Sequence, residues 1–416
     1  MRESSNLEYK RELSRSYLKT VSAYANYETG RIIFGVGDNG EMVGIDDPAG
    51  TALSIENAIN DSIDPVPDYS IDIDEVSRTV TLIVRDSPDK PYLYKGKAYR
   101  RADSSTVEVG RAEARRLAVA GLGTTFDALV STQQDLTFDR LGRGLAEKIG
   151  LQELDRNALV SLEIMSADGR YNNAAALLAD ANRFPGIDVA RFGSSISVIL
   201  SRHTFAGISV LAQMDSLMAL FDEHYVYEKI VGMDRVTRES VPREAFREAL
   251  ANALVHRTWD VEAHVKVSMF QDRIEVSSPG GLPQGITEDE YLAGGLAVAR
   301  NPILANVFFR LGYIERFGTG IPRILQEYAE CDVSPSFIVR GASIAVTLPV
   351  VDGVSFDDDE RAVLGAVPKG SSRTRSQIAQ DTGMSKDKSI RVINRLVDRR
   401  MLAREGAGRS VRYSRM

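Results

Sequence analysis

The alternation of apolar and polar residues is most regular in the second half of the chain. Phe246, Leu250 and Leu254 recur at every fourth position and predict the buried face of a helix. Two alternating segments follow, His264 to Phe270 and Arg273 to Ser277, and predict neighbouring strands. We therefore expect this part of the chain to form a helix packed on a sheet.

A second face of the same helix is polar. Glu248, Asn252 and His256 are spaced four residues apart, so a carboxylate, a carboxamide and an imidazole share one edge. The helix can then be buried through its apolar face while the polar edge lines a pocket. This layout is typical of a nucleotide site.

Two glycine segments follow the helix. The first, at Gly280 and Gly281, turns the chain after the second strand. The second contains Gly318, Thr319 and Gly320 and opens a helical run, so its backbone amides are expected to face phosphates. A closing strand is predicted from Ser343 to Pro349.

In this order the segments resemble the N box and the two glycine boxes of the GHKL ATPases, which include gyrases and histidine kinases. The match covers residues 241–350 and is similar to a divergent branch, the RecG C-terminal-like family of bacterial Schlafen-like proteins. The resemblance implies a Bergerat-type α/β sandwich that binds ATP and Mg²⁺. Asn252 matches the residue that holds Mg²⁺, and Glu248 stands at the general-base position.

The resemblance also implies the rest of the pocket. The further expected ligand-binding residues are His256, Ser278, Gly280, Gly281, Arg300, Asn301, Gly318, Thr319 and Gly320. Ser278 departs from the pattern, because gyrases and kinases have there an aspartate that binds the adenine amino group. A hydroxyl makes a weaker hydrogen bond than a carboxylate does. The residues therefore do not decide between ATP turnover, binding alone and a different nucleotide.

The segment between the two glycine boxes is predicted to be a lid. It contains Gly285, Gly294 and Gly295, which favour loop movement. Closure of this lid would present Arg300 and Asn301 to the ligand.

The first 115 residues resemble the Schlafen AlbA-type domain. The resemblance rests on an acidic and basic start, at Glu3, Glu8 and Lys10, an amphipathic helix, and a strand that ends in a turn at Asp38. In nuclease members of the family three acidic residues bind a divalent metal that cuts RNA, and these match Glu3, Glu8 and Asp38. Mg²⁺ or Mn²⁺ suits such oxygen ligands. The alternative is that the two glutamates are solvated charges and Asp38 is a turn residue.

Basic residues near position 100 are interleaved with tyrosines 92, 94 and 99. With Lys10, the side chains of Lys97, Arg100 and Arg101 are candidates for contact with DNA or RNA. The same pattern also fits rings packed beneath a solvated cationic face.

Charge changes sign at the C-terminal end of the chain. The protein has a net charge of -7, yet from Lys369 onward there are 13 Lys and Arg against 4 Asp and Glu. Such an imbalance indicates a segment that binds a polyanion.

The pattern in this segment predicts a helix from Thr374 to Asp381, a turn, and a second helix capped by Ser385. A β-wing follows, and residues 355–416 resemble a winged helix-turn-helix that reads DNA. The expected inward side chains are Ile390, Ile393, Leu396 and Val397, and the expected exposed ones include Ser389. The expected DNA contacts are Lys386, Lys388, Arg391, Arg395, Arg409 and Arg412. A dimerisation or protein-docking winged helix is the alternative.

Composition narrows the class of protein. The chain has 416 residues, 43% of them apolar, one cysteine and four histidines without zinc spacing, so neither an internal disulfide nor a zinc site is expected. No apolar run reaches the length of a membrane span, and no Walker P-loop or nucleophile elbow is present. We expect a cytoplasmic α+β multidomain protein in which residues 116–240 form a mainly helical connector.

Three functions fit these patterns. The first is an ATP-binding transcriptional regulator whose nucleotide state controls DNA binding, and for which a homodimer is the expected state. The second is a metal-dependent Schlafen-like RNase that acts on structured RNA. The third is a scaffold without enzymatic activity whose nucleotide fold is vestigial.

Overall fold

The computed structural model describes residues 3–283, 286–295, 298–315, 318–351, 358–368, 371–398, 401–406 and 411–415. They form two compact units, Met1–Pro349 and Val350–Met416. Several sheets and helices alternate along both, which confirms the predicted α+β multidomain class. Among the described helices, none combines the length and the apolar character needed to cross a membrane.

The first module of the larger unit is built on a four-stranded sheet. Its elements are β1 Leu7–Lys10, α1 Tyr17–Tyr27, β2 Gly30–Phe34, α2 Pro48–Ser62, β3 Ile63–Asp64, β4 Tyr69–Asp74, β5 Thr79–Val84, β6 Leu93–Tyr94, β7 Tyr99–Ala102, β8 Ser105–Glu108 and α3 Arg111–Gly121. The strand order is β1-β2-β5-β4, with β1 parallel to β2 and the other pairs antiparallel. The amphipathic helix expected from the sequence is α1, whose apolar face at Tyr17, Val21 and Tyr24 is buried in the core.

The segment after α3 was expected to be mainly helical, and the structure shows a mixture. Its elements are a 3₁₀ turn Phe126–Ala128, α4 Asp139–Ile149, α5 Arg156–Ser161, α6 Asn173–Leu178, β9 Ile187–Phe192, β10 Ile199–Phe205, α7 Val210–Tyr225, β11 Val226–Val231 and β12 Asp234–Glu239. Ile187 and Val189 alternate with polar residues and are buried, so this stretch forms a half-buried strand.

The second module of the larger unit is a helix-covered sheet. Its elements are α8 Arg243–Val255, β13 Val265–Met269, β14 Arg273–Pro279, α9 Glu288–Ala293, α10 Pro302–Arg310, α11 Gly320–Glu327, β15 Ser336–Arg340 and β16 Ser343–Pro349. These match the predicted helix, strand pair and closing strand. The sheet order is β10-β9-β13-β14-β16-β15, and β9 lies parallel to β13. The sheet therefore extends beyond residues 241–350 into the connector.

The C-terminal unit has its own core. Its elements are α12 Asp358–Ala366, β17 Ser372–Thr374, α13 Arg375–Thr382, α14 Lys386–Asp398, β18 Leu402–Glu405 and β19 Arg412–Arg415, with strand order β17-β19-β18. The Thr374 side chain caps α13, and Ser385 accepts a hydrogen bond from the Lys388 amide as a cap for α14. Ile393 and Leu396 face the core as predicted, but Ser389 is 1% exposed instead of solvated.

A buried carboxylate joins three elements of the first module. Glu8 on β1 is 5% exposed. Its Oε2 lies 2.7 Å from Arg101 Nη1 on β7 and accepts a 2.7 Å hydrogen bond from Thr20 Oγ1 on α1, and its Oε1 lies 2.7 Å from Lys10 Nζ. Because the carboxylate is buried, its negative charge depends on these partners.

We expect Arg101→Ala to lower the free energy of unfolding by about 3–5 kcal/mol, because it leaves the buried Glu8 carboxylate without its main counter-ion. Urea denaturation of the full chain, followed by circular dichroism, measures this loss. The matched control is Arg100→Ala, whose guanidinium is 47% exposed and lies 3.6 Å from Glu113. That change should cost no more than about 1 kcal/mol. Equal losses in the two variants would contradict the role assigned to Arg101.

Candidate functional site

A cavity of about 360 Å³ opens between α8, the strands β14 and β16, and the segments around α9 and α11. We call it the α8 cavity. Nine of the residues predicted for the nucleotide pocket line it: Glu248, Asn252, His256, Ser278, Gly280, Gly281, Gly318, Thr319 and Gly320. Apolar side chains such as Val276, Ile344 and Val346 form its floor on the sheet. One wall is thus polar and the opposite wall apolar.

The polar edge of α8 forms one end of the cavity. Asn252 Nδ2 donates a 3.3 Å hydrogen bond to Glu248 Oε1, and Glu248 is 3% exposed. Its Oε2 has no hydrogen-bond partner among the described residues. Burial raises the pKa of Glu248, and the nearby Arg323 guanidinium opposes that rise. A buried oxygen of this kind is costly unless a ligand, a water or a cation meets it.

Close packing brings the second glycine segment against this edge. A Cβ atom on Gly320 would lie 2.6 Å from Asn252 Nδ2 and 2.8 Å from Glu248 Oε1. A larger residue at this position would therefore displace the carboxamide or the carboxylate from the first turn of α11. The first amides of a helix lack partners within the helix, and Thr319, Gly320 and Ile321 line the cavity at this point.

His256 follows α8 and lines the cavity as a neutral side chain. Burial lowers the pKa of its imidazole to about 4, and the Arg300 guanidinium contributes to the same shift. A neutral imidazole can donate from one ring nitrogen and accept at the other. His256 can therefore bind a polar ligand atom without adding charge to the site.

Ser278 lies on β14 and is 8% exposed. Its hydroxyl donates a 2.8 Å hydrogen bond to the Ala253 carbonyl of α8. Since the only hydroxyl proton is used in this way, the oxygen offers lone pairs alone to the cavity. Ser278 can therefore accept a hydrogen bond from a ligand amine, as an aspartate does.

Arg300 and Asn301 are placed differently from the expectation, since neither is among the residues that line the cavity. Asn301 is fully buried, and its Nδ2 donates to the carbonyls of Val255 at 2.7 Å and Arg257 at 3.0 Å. Arg300 donates to Thr258 Oγ1 at 2.5 Å and to the Gly281 carbonyl at 2.8 Å. Asn301 therefore satisfies backbone carbonyls at and just after the end of α8, and Arg300 joins Thr258 to the turn at Gly281.

The segment predicted as a lid contributes to the cavity wall. Ile286 and Tyr291 line the cavity, and the amide of Gly295 donates a 3.1 Å hydrogen bond to the Gly318 carbonyl. A Cβ on Gly294 would lie 2.8 Å from the ring of Pro322, so this glycine permits contact with α11. Gly285 lies outside the described residues.

Two residues that the sequence did not single out shape the site. Arg323 on α11 reaches Glu248 Oε2 at 3.7 Å and Glu315 Oε1 at 3.5 Å, which puts a cation beside the carboxylate oxygen that lacks a hydrogen bond. Asp127 is fully buried and accepts the amides of Ile303 and Leu304 at 2.8 and 3.0 Å, so it caps α10 from the connector. The only signal for Arg323 was its place one turn after the second glycine box.

The N-terminal carboxylates are not assembled as a metal site. Glu8 is held by Arg101 and Lys10, and Glu3 Oε1 accepts the Tyr9 amide at 3.0 Å. Asp38 is exposed in a turn, as the alternative interpretation expected. Within the described part of the chain, no group of three His, Cys, Asp or Glu side chains is placed to hold a metal ion. Glu3, Glu8 and Asp38, which match the nuclease carboxylates, are therefore not brought together in the described structure, because Glu8 is used in ion pairs within the module.

The four cations predicted for nucleic-acid contact in the first module are each paired with a carboxylate. Lys10 and Arg101 bind Glu8, Lys97 lies 2.8 Å from Glu108, and Arg100 lies 3.6 Å from Glu113. Tyrosines 92, 94 and 99 are 2%, 5% and 7% exposed. Of the two alternatives, the rings thus lie beneath a cationic face and offer no surface for base stacking.

In the C-terminal unit the predicted DNA contacts divide into two groups. Lys388 lies 2.7 Å from Asp359, and Arg395 lies 3.7 Å from Glu360, so both are engaged with α12. Lys386, Arg391 and Arg412 are exposed. Arg409 lies outside the described residues.

Comparison with known families identifies two domains. The family model described as Schlafen, AlbA_2 matches residues 3–110, and the model described as putative ATP-dependent DNA helicase recG C-terminal matches residues 262–348. The chain therefore contains a Schlafen AlbA-type domain and a RecG C-terminal-like ATPase domain, as the resemblances predicted. Together they span less than half of the chain. No curated protein matches it.

Two solved structures are among those that match the chain. The DIP2311 protein from Corynebacterium diphtheriae is 20% identical, over 99% of this chain and 92% of that chain, with a TM-score of 0.50. The N-terminal domain of a putative ATP-dependent DNA helicase RecG-related protein from Nitrosomonas europaea is 24% identical. That match covers 27% of this chain and 85% of the other, with a TM-score of 0.20.

We expect the His256 imidazole to stay neutral down to about pH 5, since burial holds its pKa near 4. An NMR titration of the histidine ring resonances measures this, and His256→Gln assigns the signal. Because the unfolded chain binds a proton at about pH 6.5 and the folded chain does not, this group lowers the free energy of unfolding as the pH falls from about 6.5 toward 4. A midpoint for His256 near 6.5 would contradict the burial of this side chain.

Proposed function

We propose that the protein is an ATP-binding, nucleic-acid-binding regulator in which nucleotide occupancy of the α8 cavity controls DNA binding. The observation that carries this proposal is the convergence of Glu248, Asn252 and Gly320 at one end of the cavity. Glycine is needed there for the approach, and a buried carboxylate oxygen is left without a hydrogen-bond partner. A site with these features is suited to bind a polar ligand.

The residues that line the cavity fit the different parts of ATP. The amides at the start of α11 and the backbone of Gly318 to Gly320 suit phosphates. The Asn252 carboxamide oxygen fits Mg²⁺, which takes few protein ligands and completes its shell with phosphates and water. Ser278 on β14 offers an acceptor to the adenine amino group. The apolar side chains on the sheet suit a purine ring.

Glu248 is the residue that would orient an attacking water if the bound nucleotide is hydrolysed. The raised pKa of Glu248 and the absence of a hydrogen bond to its Oε2 suit a general base. Arg323 lies beside it and would also face the terminal phosphate region. The pair therefore links nucleotide binding to the position of α11.

The C-terminal unit is proposed as a winged helix-turn-helix that binds DNA through α14. The order of one helix, a strand, two helices and a hairpin supports this assignment. Lys386 and Arg391 are exposed on α14, where a recognition helix presents its contacts. The excess of basic residues after Lys369 supports a polyanionic partner.

We expect Asn252→Ala to abolish the heat of Mg·ATP binding in isothermal titration, and Gly320→Ala to weaken binding at least about tenfold. The second change adds a methyl group where the Asn252 amide and the Glu248 carboxylate now lie. A loss of about 1.4 kcal/mol corresponds to a factor of ten.

Gly142→Ala is the matched control. Gly142 lies within α4, and the nearest atom to its Cβ position is Leu154 Cβ at 4.0 Å, so ATP binding should be unchanged. GTP should bind more weakly than ATP, because guanine places a carbonyl oxygen toward the Ser278 lone pairs. Absence of binding heat in the wild-type chain would refute the nucleotide proposal.

For the C-terminal unit, we expect Lys386→Ala to reduce the salt dependence of duplex DNA binding, with the slope of log K against log salt falling by about 1. Fluorescence anisotropy over a range of salt concentrations measures this slope. Lys148→Ala is the control, because it removes the same charge from an exposed position in the other unit. If both variants change the slope equally, α14 is not the DNA-binding element.

A further inference from the structure

A second cavity, of about 440 Å³, lies in the first module beside the start of α1 and the turn between β6 and β7. We call it the α1 cleft. Four cationic side chains line it, namely Arg15, Lys19, Lys95 and Lys97. Lys95 and Lys97 belong to the basic stretch near position 100, whereas Arg15 and Lys19 were not predicted to bind a ligand.

The charges in this cleft are largely uncompensated. Lys97 is paired with Glu108 at 2.8 Å, but no carboxylate of the described chain forms an ion pair with Arg15, Lys19 or Lys95. The three side chains are exposed. The protein as a whole is acidic, with a net charge of -7. A group of unpaired cations around one concave surface on such a body creates a local positive potential that attracts an anion.

The turn between β6 and β7 holds Lys95 in an unusual backbone conformation. Tyr94 and Lys97 exchange backbone hydrogen bonds of 2.9 and 3.1 Å, and Lys95 and Gly96 between them have φ values of 51° and 71°. Asparagine, aspartate or glycine is the common residue at the first of these positions. The chain has lysine there, with its ammonium 5.3 Å from the centre of the Tyr94 ring.

The aromatic residues define what kind of anion fits. Tyr94 and Tyr99 are 5% and 7% exposed, and the Lys19 ammonium lies over the Tyr99 ring at 5.8 Å. Since the rings are buried beneath the cations, nucleic-acid bases cannot stack on them. The surface that remains is a set of ammonium and guanidinium groups, which bind phosphates irrespective of base sequence.

We propose that the α1 cleft binds the phosphodiester backbone of a nucleic-acid duplex through Arg15, Lys19 and Lys95, without reading bases. This proposal rests on the proposed nucleic-acid function and gives it a location in the first module. It replaces the paired cations Lys10, Arg100 and Arg101 as the site of contact. A duplex suits the cleft because its phosphates are displayed while its bases are stacked inside.

The test compares two double variants of the full chain that remove the same charge. Lys19→Gln with Lys95→Gln changes the cleft. Arg31→Gln with Arg85→Gln is the control: both residues are exposed, and Arg31 on β2 and Arg85 just after β5 lie beside the paired residues Gly30 and Val84. Binding of a labelled DNA duplex and of an RNA duplex of the same sequence is followed by anisotropy over a range of salt concentrations.

The cleft variant should lower the slope of log K against log salt by about 1.8 for at least one duplex, which corresponds to two lost phosphate contacts. The control variant should keep the wild-type slope. A change for DNA alone or for RNA alone identifies which duplex the cleft takes. If the wild-type chain binds neither duplex, the proposed nucleic-acid function fails together with this inference. If the wild type binds and the two variants have the same slope, only the inference is overturned.

Discussion

The α8 cavity depends on the close approach of α11 to the polar edge of α8. Gly320 permits this approach, and the small residues Ala249 and Ala253 of α8 line the cavity. On its apolar side Phe246 stacks on Phe221 of α7, with ring centres 4.7 Å apart. A helix fixed on all sides can keep a carboxylate and a carboxamide away from bulk water. Their chemistry then depends on what enters the cavity.

The connector is part of this arrangement and not a spacer. Strand β9 lies beside β13, and the buried Arg257 joins the loop after α8 to the residues before β9. Its guanidinium donates to the carbonyls of Pro185 and Gly186, and it lies 4.1 Å from the centre of the Trp259 ring. Burial lowers the pKa of Arg257 to about 10, yet the side chain is still charged at neutral pH. The carbonyl groups stabilise that charge in place of a carboxylate.

Local patterns predicted much of the fold, and together with the family resemblance they predicted the lining of the α8 cavity. The four-residue spacing placed Glu248, Asn252 and His256 on one face of α8, because periodicity fixes which side chains share a face, and the resemblance gave the other six of the nine lining residues. Distant contacts were not predictable in the same way. The pairing of Glu8 with Arg101 joins residues 93 positions apart, and the hydrogen bonds of Asp127 cross 176 and 177 positions. Arg300 and Asn301 were predicted to bind the ligand because the sequence does not show which backbone carbonyls need hydrogen-bond donors.

The segment that matches the family model is not the segment that folds as a unit. Asp127 caps α10 and β9 pairs with β13, and both contacts come from outside the matched segment. The segment recognised by family comparison, residues 262–348, contains neither α8, nor β9, nor Asp127. If this segment were produced without the rest of the chain, one edge of β13 would be unpaired and the first amides of α10 would lack hydrogen-bond acceptors. During synthesis the cavity cannot form until the chain has passed Val346 and packed against segments made much earlier. Its assembly is therefore a late event with high contact order, and the matched segment depends on the chain that precedes it.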